Sequence, residues 1–285
     1  MDAANVFDGL DVQRGPGDGP VAFGAGLGPE QLLAAYRCGL FPMPAADEVA
    51  SAFNEVRWED EVRAGRVVLL PGGEPAGDPY AGDPYADGPY SGALYDPYAL
   101  AWWSPDPRPV IAPDGVRLGS RLARRLRNRL TWRTSADRAF GAVLAGCAQG
   151  RQPAWLSQEL REGLVRLHAL GAAHSAEVWE GEELIGGVFG VAAGPVLSLD
   201  SMFHRRPDAA RVAVADLAAR FGAAGGRLLD AQWDGPHVRT LGAVPIPRAR
   251  YLAELAAEGA VGPLPTEELP ASRLGTVGGP EVNGS

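Results

Sequence analysis

Apolar residues recur along this chain with two different periods, and the change of period predicts where helices give way to strands. After Gly28-Pro29, residues Leu32, Leu33 and Tyr36 share a helical face, Pro29 suits a first turn, and Gly39 supplies a stop. Residues 120–129 (SRLARRLRNR) predict a basic helix. Ser135 stands where it can cap a helix carrying Phe140, Val143, Leu144 and Cys147, and Ser157 precedes another with Leu160, Leu164 and Leu167 on one face. The period then shortens. Residues 173–179, 184–192 and 195–200 read as strands, the first two joined by Glu180-Gly181-Glu182-Glu183, a hairpin signal. Helical spacing returns over 208–223 with Val212, Ala215, Leu217 and Phe221, and Gly225-Gly226 ends it. A further strand over 227–232 and a last helix over 248–258 complete the pattern. A helix pair, an antiparallel meander and then helix–strand–helix predict the α/β (α+β) class, a mixed sheet covered by helices.

Between the first helix and Trp102 the pattern lapses. GDPY at 77–80 and 82–85, DGPY at 87–90 and YDPY at 95–98 form an irregular run whose Pro and Gly oppose both helix and ladder. The expected organisation is therefore a disordered tail over 1–20, a small N-terminal domain over 21–106 with a flexible insertion at about 45–98, a larger α/β domain over 107–258, and a disordered Pro/Gly-rich tail over 259–285.

Charge sharpens this division. The net charge of −9 argues against a nucleic-acid partner until it is divided by region. Residues 45–101 carry eleven acids against three arginines, whereas 102–256 carry twenty arginines against fifteen acids, so the centre is mildly basic. Six arginines and no acid lie between Arg117 and Arg129. That run, with Arg121, Arg124, Arg125, Arg127 and Arg129 on a short helix, points to a phosphate backbone. The two cysteines, Cys38 and Cys147, lie 109 positions apart, which excludes a disulfide framework and a cysteine-based zinc site. No run is long enough to span a bilayer and the acidic start is unlike a secretory signal, so a cytoplasmic location is expected, without a membrane partner.

Several local patterns bear on candidate chemistry. Asp230 and Gln232 stand at i and i+2 on a predicted strand, so both side chains project to one face. A carboxylate beside an amide there can orient and polarise an attacking amine without a metal, although a satisfied polar pair at a sheet edge has the same pattern. Trp102-Trp103-Ser104-Pro105-Asp106-Pro107-Arg108 puts one tryptophan toward a core and the other toward a groove, or packs a domain junction. His174-Ser175 has no nucleophile elbow around it, and the four histidines lack metal-ligand spacing, so no metal is expected. Gly186-Gly187…Gly190 lies inside a strand, where glycine permits close approach of a backbone or ligand. Acyl-CoA enzymes of comparable architecture hold pyrophosphate on a Gly-rich turn at the helix start. Residues 205–210 (RRPDAA) contain no glycine, which disfavours that cofactor.

These runs, taken in order, resemble the bacterial leucyl/phenylalanyl-tRNA–protein transferase family. The resemblance is carried by 36–42 (YRCGLFP), 102–108 (WWSPDPR), 154–156 (AWL), 173–175 (AHS), 177–179 (EVW), 201–203 (SMF), 230–232 (DAQ) and 241–243 (LGA), and it covers roughly 21–44 and 102–256. It implies an acetyltransferase-like (GNAT-type) domain that uses aminoacyl-tRNA as co-substrate and no cofactor. It implies transfer of Leu, Phe and less readily Met to the N-terminal Arg or Lys of proteins, marking them for degradation. It further implies that Asp230 and Gln232 are catalytic, that Val188, Met202, Val214, Leu217, Phe221 and Leu229 line the pocket for the transferred side chain, and that Trp155, Met43 and Asp200 lie at the adenosine and aminoacyl end. Asp200 also stands as the candidate anion for the acceptor's basic residue. Met43 replaces a usual tryptophan, Asp200 a usual glutamate and Ala231 a cysteine. The alternatives are a tRNA-dependent aminoacyltransferase with a non-protein acceptor, and a tRNA- or protein-binding homologue without turnover.

Overall fold

The computed structural model describes residues 5–72, 95–150 and 155–276, and they fall into two compact units: 1–104 with 152–163, and 105–151 with 164–285. The first holds a four-stranded sheet of β1 (Pro20–Gly24), β2 (Phe41–Pro44), β3 (Val68–Leu70) and β4 (Leu100–Trp103), in the order β2-β4-β1-β3. Helix α1 (Pro29–Arg37) starts on Pro29 as its sequence requires. Trp102 is fully buried, donates its indole N–H to the Gly24 carbonyl at 2.9 Å, and meets Phe7 edge-on with centroids 5.1 Å apart. Residues 5–19, expected as part of a disordered tail, are therefore ordered by an aromatic contact that their composition does not announce.

The insertion is ordered in part. Residues 48–63, expected to be part of a flexible excursion, form the sixteen-residue helix α2 (Glu48–Arg63), whose N-terminal N–H of Ala50 is capped by Asp47 at 2.8 Å. Trp58 from α2 packs with Phe23, Val67, Tyr98 and Ala101, and Trp103 meets it edge-on at 6.2 Å. Val49, Phe53 and Val56 point to solvent, so α2 lacks the apolar stripe that betrays a helix. The tyrosine repeats over 77–90 lie outside the described residues.

The second unit is built on a nine-stranded mixed sheet in the order β12-β5-β11-β9-β8-β7-β6-β13, with β10 paired to β8. Its strands are β5 (Arg108–Ile111), β6 (Arg133–Ala136), β7 (Ala173–Glu180), β8 (Glu183–Ala193), β9 (Val196–Ser198), β10 (Ser201–His204), β11 (Leu228–Asp230), β12 (Val244–Ile246) and β13 (Leu269–Pro270). Helices α3 (Ser120–Asn128), α4 (Phe140–Ala148), α5 (Gln158–Ala169), α6 (Ala209–Ala223), α7 (Pro236–Leu241) and α8 (Arg248–Leu255) complete the elements, α5 passing from the first unit into the second. The expected mixed α/β class holds. The helix expected after Ser157 is α5, and Ser157 caps it by accepting from the Leu160 N–H at 3.1 Å, whereas Ser135 sits in β6 and donates to Glu177 at 2.6 Å instead of capping α4. A Cβ on Gly190 would lie 1.6 Å from the Ser198 carbonyl, and one on Gly186 would press on the first turn of α6, so those glycines serve close backbone approach.

Helix α6 is buried nearly all round, with eleven of its fifteen residues inside. Asp216 on that helix accepts from Arg220 at 2.6 Å, from Thr134 at 2.6 Å and from Arg273; Arg220 in turn donates to the carbonyls of Pro265 and Glu267 at 2.7 and 2.8 Å. Residues 259–276, expected as a disordered tail, are thereby tied to the sheet. Composition suggested freedom, and a buried charge cluster removes it.

Candidate active site

Strand β11 is short, and the reason lies in the residue that ends it. It pairs antiparallel to β5 through Leu229 with Ile111 and Asp230 with Val110, and parallel to β9 through Asp230 with Ser198. Asp230, 1% exposed, then turns its carboxylate onto its own chain. Its Oδ1 accepts the backbone N–H of Gln232 at 2.8 Å, and Gln232 sits at φ +60°, in the left-handed region that glutamine seldom occupies. The expectation that Asp230 and Gln232 alternate along one strand face is thus corrected. The strand stops at Asp230, and a turn presents Gln232.

The turn separates the two side chains. The Gln232 amide donates to Ser198 Oγ at 2.9 Å and to Asp200 Oδ1 at 2.5 Å, and Ser198 Oγ also donates to Asp200 Oδ1 at 2.6 Å. Gln232 is buried and Asp200 half-buried, so the amide backs a carboxylate that solvent can reach. Asp230 faces the other way. Arg108 grips it with a bidentate fork, Nε to Oδ1 at 2.8 Å and Nη2 to Oδ2 at 2.6 Å, and Tyr251 donates its hydroxyl to Oδ2 at 3.1 Å. The Arg108 guanidinium also lies over the Tyr251 ring, 4.5 Å from its centroid. Burial opposes the charge on Arg108, but the Asp230 charge and hydrogen bonds outweigh it, so the arginine pKa is raised. Burial first, and then the Asp230 charge, raise the Tyr251 pKa as well, which keeps its hydroxyl a donor.

Asp106 and Arg108, from the tryptophan-led motif, both serve this region. The Asp106 carboxylate accepts the backbone N–H of Arg248 at 3.0 Å, at the start of the helix that carries Tyr251. Sequence reasoning found Asp230 and Gln232 but missed Arg108 and Tyr251 as their neighbours. An arginine and a tyrosine 143 positions apart carry no local signal, and only the order β12-β5-β11 brings β5 beside the aspartate.

The six expected pocket residues share one packed cluster. Val188, Val214, Leu217, Phe221 and Leu229 are each at most 1% exposed, and Met202 packs against them half-buried. The five make up core and Met202 its accessible edge. Met43 and Trp155, both half-buried, belong to the first unit. His174 pairs with Asp137 at 2.8 Å and Ser175 is fully buried and donates to Glu177 at 2.6 Å, so that pair is structural.

The arginine helix divides into two groups. Arg125 is spent on Asp208 at 2.9 Å and Arg127 on the Gly275 carbonyl. The side chains of Arg121, Arg124 and Arg129 are exposed and have no hydrogen bond or ion pair among the described residues, and with Arg125 and Asn128 they line a surface hollow of about 620 Å³. Arg205 and Arg206 at the start of α6 are engaged by the Leu184 carbonyl and by Glu180 and Glu183.

Comparison with known proteins places the chain in a family. A profile described as leucyl/phenylalanyl-tRNA protein transferase matches residues 110–256, a span that contains Asp200, Asp230, Gln232, Tyr251 and the arginine helix. A leucyl/phenylalanyl-tRNA–protein transferase of Xanthomonas euvesicatoria pv. vesicatoria (strain 85-10) is 36% identical over 242 residues, covering 84% of this chain and 76% of its own. One from Shewanella baltica (strain OS185) is 35% identical over 253 residues, covering 88% and 85%. Among solved structures, a GCN5-related N-acetyltransferase from Kribbella flavida aligns over 49% of this chain and 54% of its own, with a TM-score of 0.31 and 13% identity. The matching sequences put the chain among the aminoacyltransferases. Within that class it belongs to the leucyl/phenylalanyl-tRNA protein transferase family.

Proposed function

We propose that the protein moves leucine or phenylalanine, and less readily methionine, from a charged tRNA to the N-terminal arginine or lysine of another polypeptide in the cytoplasm, marking that polypeptide for degradation. Aminoacyl-tRNA is the co-substrate, and no cofactor or metal takes part. The acceptor's amine attacks the ester carbonyl, the bond to the ribose oxygen breaks, an amide forms, and the amine's proton passes in the end to the released ribose oxygen.

The observation that carries this reading is the Gln232–Asp200 pair at the end of β11, inside the span shared with the family. Both amide hydrogens of Gln232 are committed to Ser198 and Asp200, which leaves its carbonyl oxygen as the acceptor for an amine N–H. The half-buried Asp200 carboxylate supplies the negative charge that draws an ammonium. Asp230 supports the pair without touching substrate. Each of its oxygens already accepts two hydrogen bonds, so taking a proton would mean losing a donor.

The transferred side chain seats at the Met202 edge of the apolar cluster formed with Val188, Val214, Leu217, Phe221 and Leu229, with the flexible methionine giving way. Each buried methylene is worth about 0.8 kcal/mol, so discrimination among apolar side chains there is modest. Arg121, Arg124 and Arg129 contact tRNA phosphates, with Arg125 and Arg127 tied to the protein. Trp155 stacks on the terminal adenosine, a contact worth about 1–3 kcal/mol, and Met43 offers no ring for a second stack. The test is to mix the protein with labelled leucyl-tRNA and a peptide beginning with arginine. Label in the peptide supports the reading, and tRNA binding without transfer supports a binding homologue.

A further inference from the structure

The cluster behind Gln232 has more hydrogen-bonding order than the sheet needs. Burying a carboxylate and a guanidinium takes both from water, and an apolar pair of similar size serves a core at least as well. Here both are 1% exposed and sit on neighbouring strands, Arg108 as the first residue of β5 and Asp230 as the last of β11. A third element, α8, contributes Tyr251, and the start of α8 is fixed by Asp106, two residues before Arg108. Three elements therefore converge on one carboxylate.

Of the four donors on Asp230, three are side-chain N–H or O–H groups from Arg108 and Tyr251. The fourth is the backbone N–H of Gln232, whose left-handed conformation opposes glutamine's ordinary preference. A carboxylate free to rotate would not hold that turn. Gripped by the planar fork of Arg108 on one edge and by Tyr251 on Oδ2, it has one orientation, and Oδ1 then fixes where the Gln232 amide points.

We propose that Arg108 and Tyr251 are positioning residues for aminoacyl transfer: they orient Asp230, Asp230 sets the Gln232 turn, and the turn holds the Gln232 amide against Asp200. This rests on the transferase reading above. Neither residue touches substrate, so their loss slows the chemical step and leaves tRNA affinity alone.

The test follows transfer from leucyl-tRNA to an arginine-led peptide by wild type, Tyr251→Phe, Arg108→Lys, Asp230→Asn and the double variant Asp230→Asn with Tyr251→Phe, each also melted thermally. Tyr251→Phe keeps the ring and removes one hydrogen bond. It should lower kcat on the order of tenfold, a modest misplacement of a reacting group, with KM for leucyl-tRNA and the melting temperature nearly unchanged. Arg108→Lys keeps the charge but loses the fork, and should lower kcat further. In the Asp230→Asn background, Tyr251→Phe should add nothing; where that background is too slow to measure, the split between kcat and KM in Tyr251→Phe decides. Wild-type kcat in Tyr251→Phe, an equal loss with and without Asp230, or a loss that only tracks a smaller folded fraction overturns the proposal. A wild-type protein that binds tRNA yet transfers nothing overturns the transferase reading and this proposal together; an active wild type with an indifferent Tyr251→Phe overturns the proposal alone.

Discussion

The second unit buries two aspartates against arginines, and their surroundings differ in one respect. Around Asp216 every outward connection ends on the protein itself: Arg220 reaches the carbonyls of Pro265 and Glu267, and Arg273 closes the ring from the C-terminal segment. Around Asp230 the connections end on a strained turn and, through Gln232, on a half-buried carboxylate. The first cluster binds a tail to a sheet. The second aims an amide. These two buried ion pairs of like chemistry differ in what lies at the far end of the hydrogen-bond chain, not in burial or distance.

The largest effect that sharpens this contrast is expected at Asp216. Asp216→Ala leaves buried Arg220 with only the more distant Glu267 carboxylate, 3.8 Å away, as counter-charge, which costs about 3–5 kcal/mol. At roughly 2–4 °C per kcal/mol for a chain of this size, the melting temperature should fall on the order of 10 °C, with transfer per folded molecule unchanged. Gln232→Ala should do the reverse. Transfer should fall about 100-fold, equivalent to about 2.7 kcal/mol on the barrier, while the melting curve stays within a few degrees. Should both variants lose stability and activity in the same proportion, the two clusters do not differ in kind.

The next effect lies on the arginine helix, where Arg125 and Arg127 are held by Asp208 and Gly275. Reversing Arg121 and Arg124 to glutamate should weaken tRNA binding about tenfold and reduce the slope of log affinity against log salt by roughly two units. An unchanged slope would remove this helix from the interface. The smallest effect is expected from deleting 73–94, which should leave transfer intact. Deletion extended to 50–95 should fail to fold, because it removes Trp58 from the core of the first unit.

The sequence disclosed the second unit better than the first, and the cause is local. Strands β7 and β8 and the helix α6 have long apolar runs, and their bounds fall within a residue or two of expectation. Helix α2 has no such stripe, because Phe53 and Val56 face solvent while Ser51 and Trp58 face inward. Asp230 and Gln232 were legible as chemistry but not as geometry. Their spacing of two suggests alternation along a strand, and nothing local shows that the aspartate would capture the glutamine's own N–H. The five buried apolar residues around Val188 were legible as apolar, yet spacing alone cannot distinguish a pocket wall from a packed core.

The most direct measurement is incorporation of labelled leucine from leucyl-tRNA into a peptide beginning with arginine, comparing wild type with Gln232→Ala at equal folded concentration. Label should appear at the peptide's N-terminus with wild type and fall about 100-fold with the variant, a loss typical of removing one group poised for the transition state. Absence of label with folded, tRNA-bound wild type, or full transfer by Gln232→Ala, would contradict a transfer site at the end of β11.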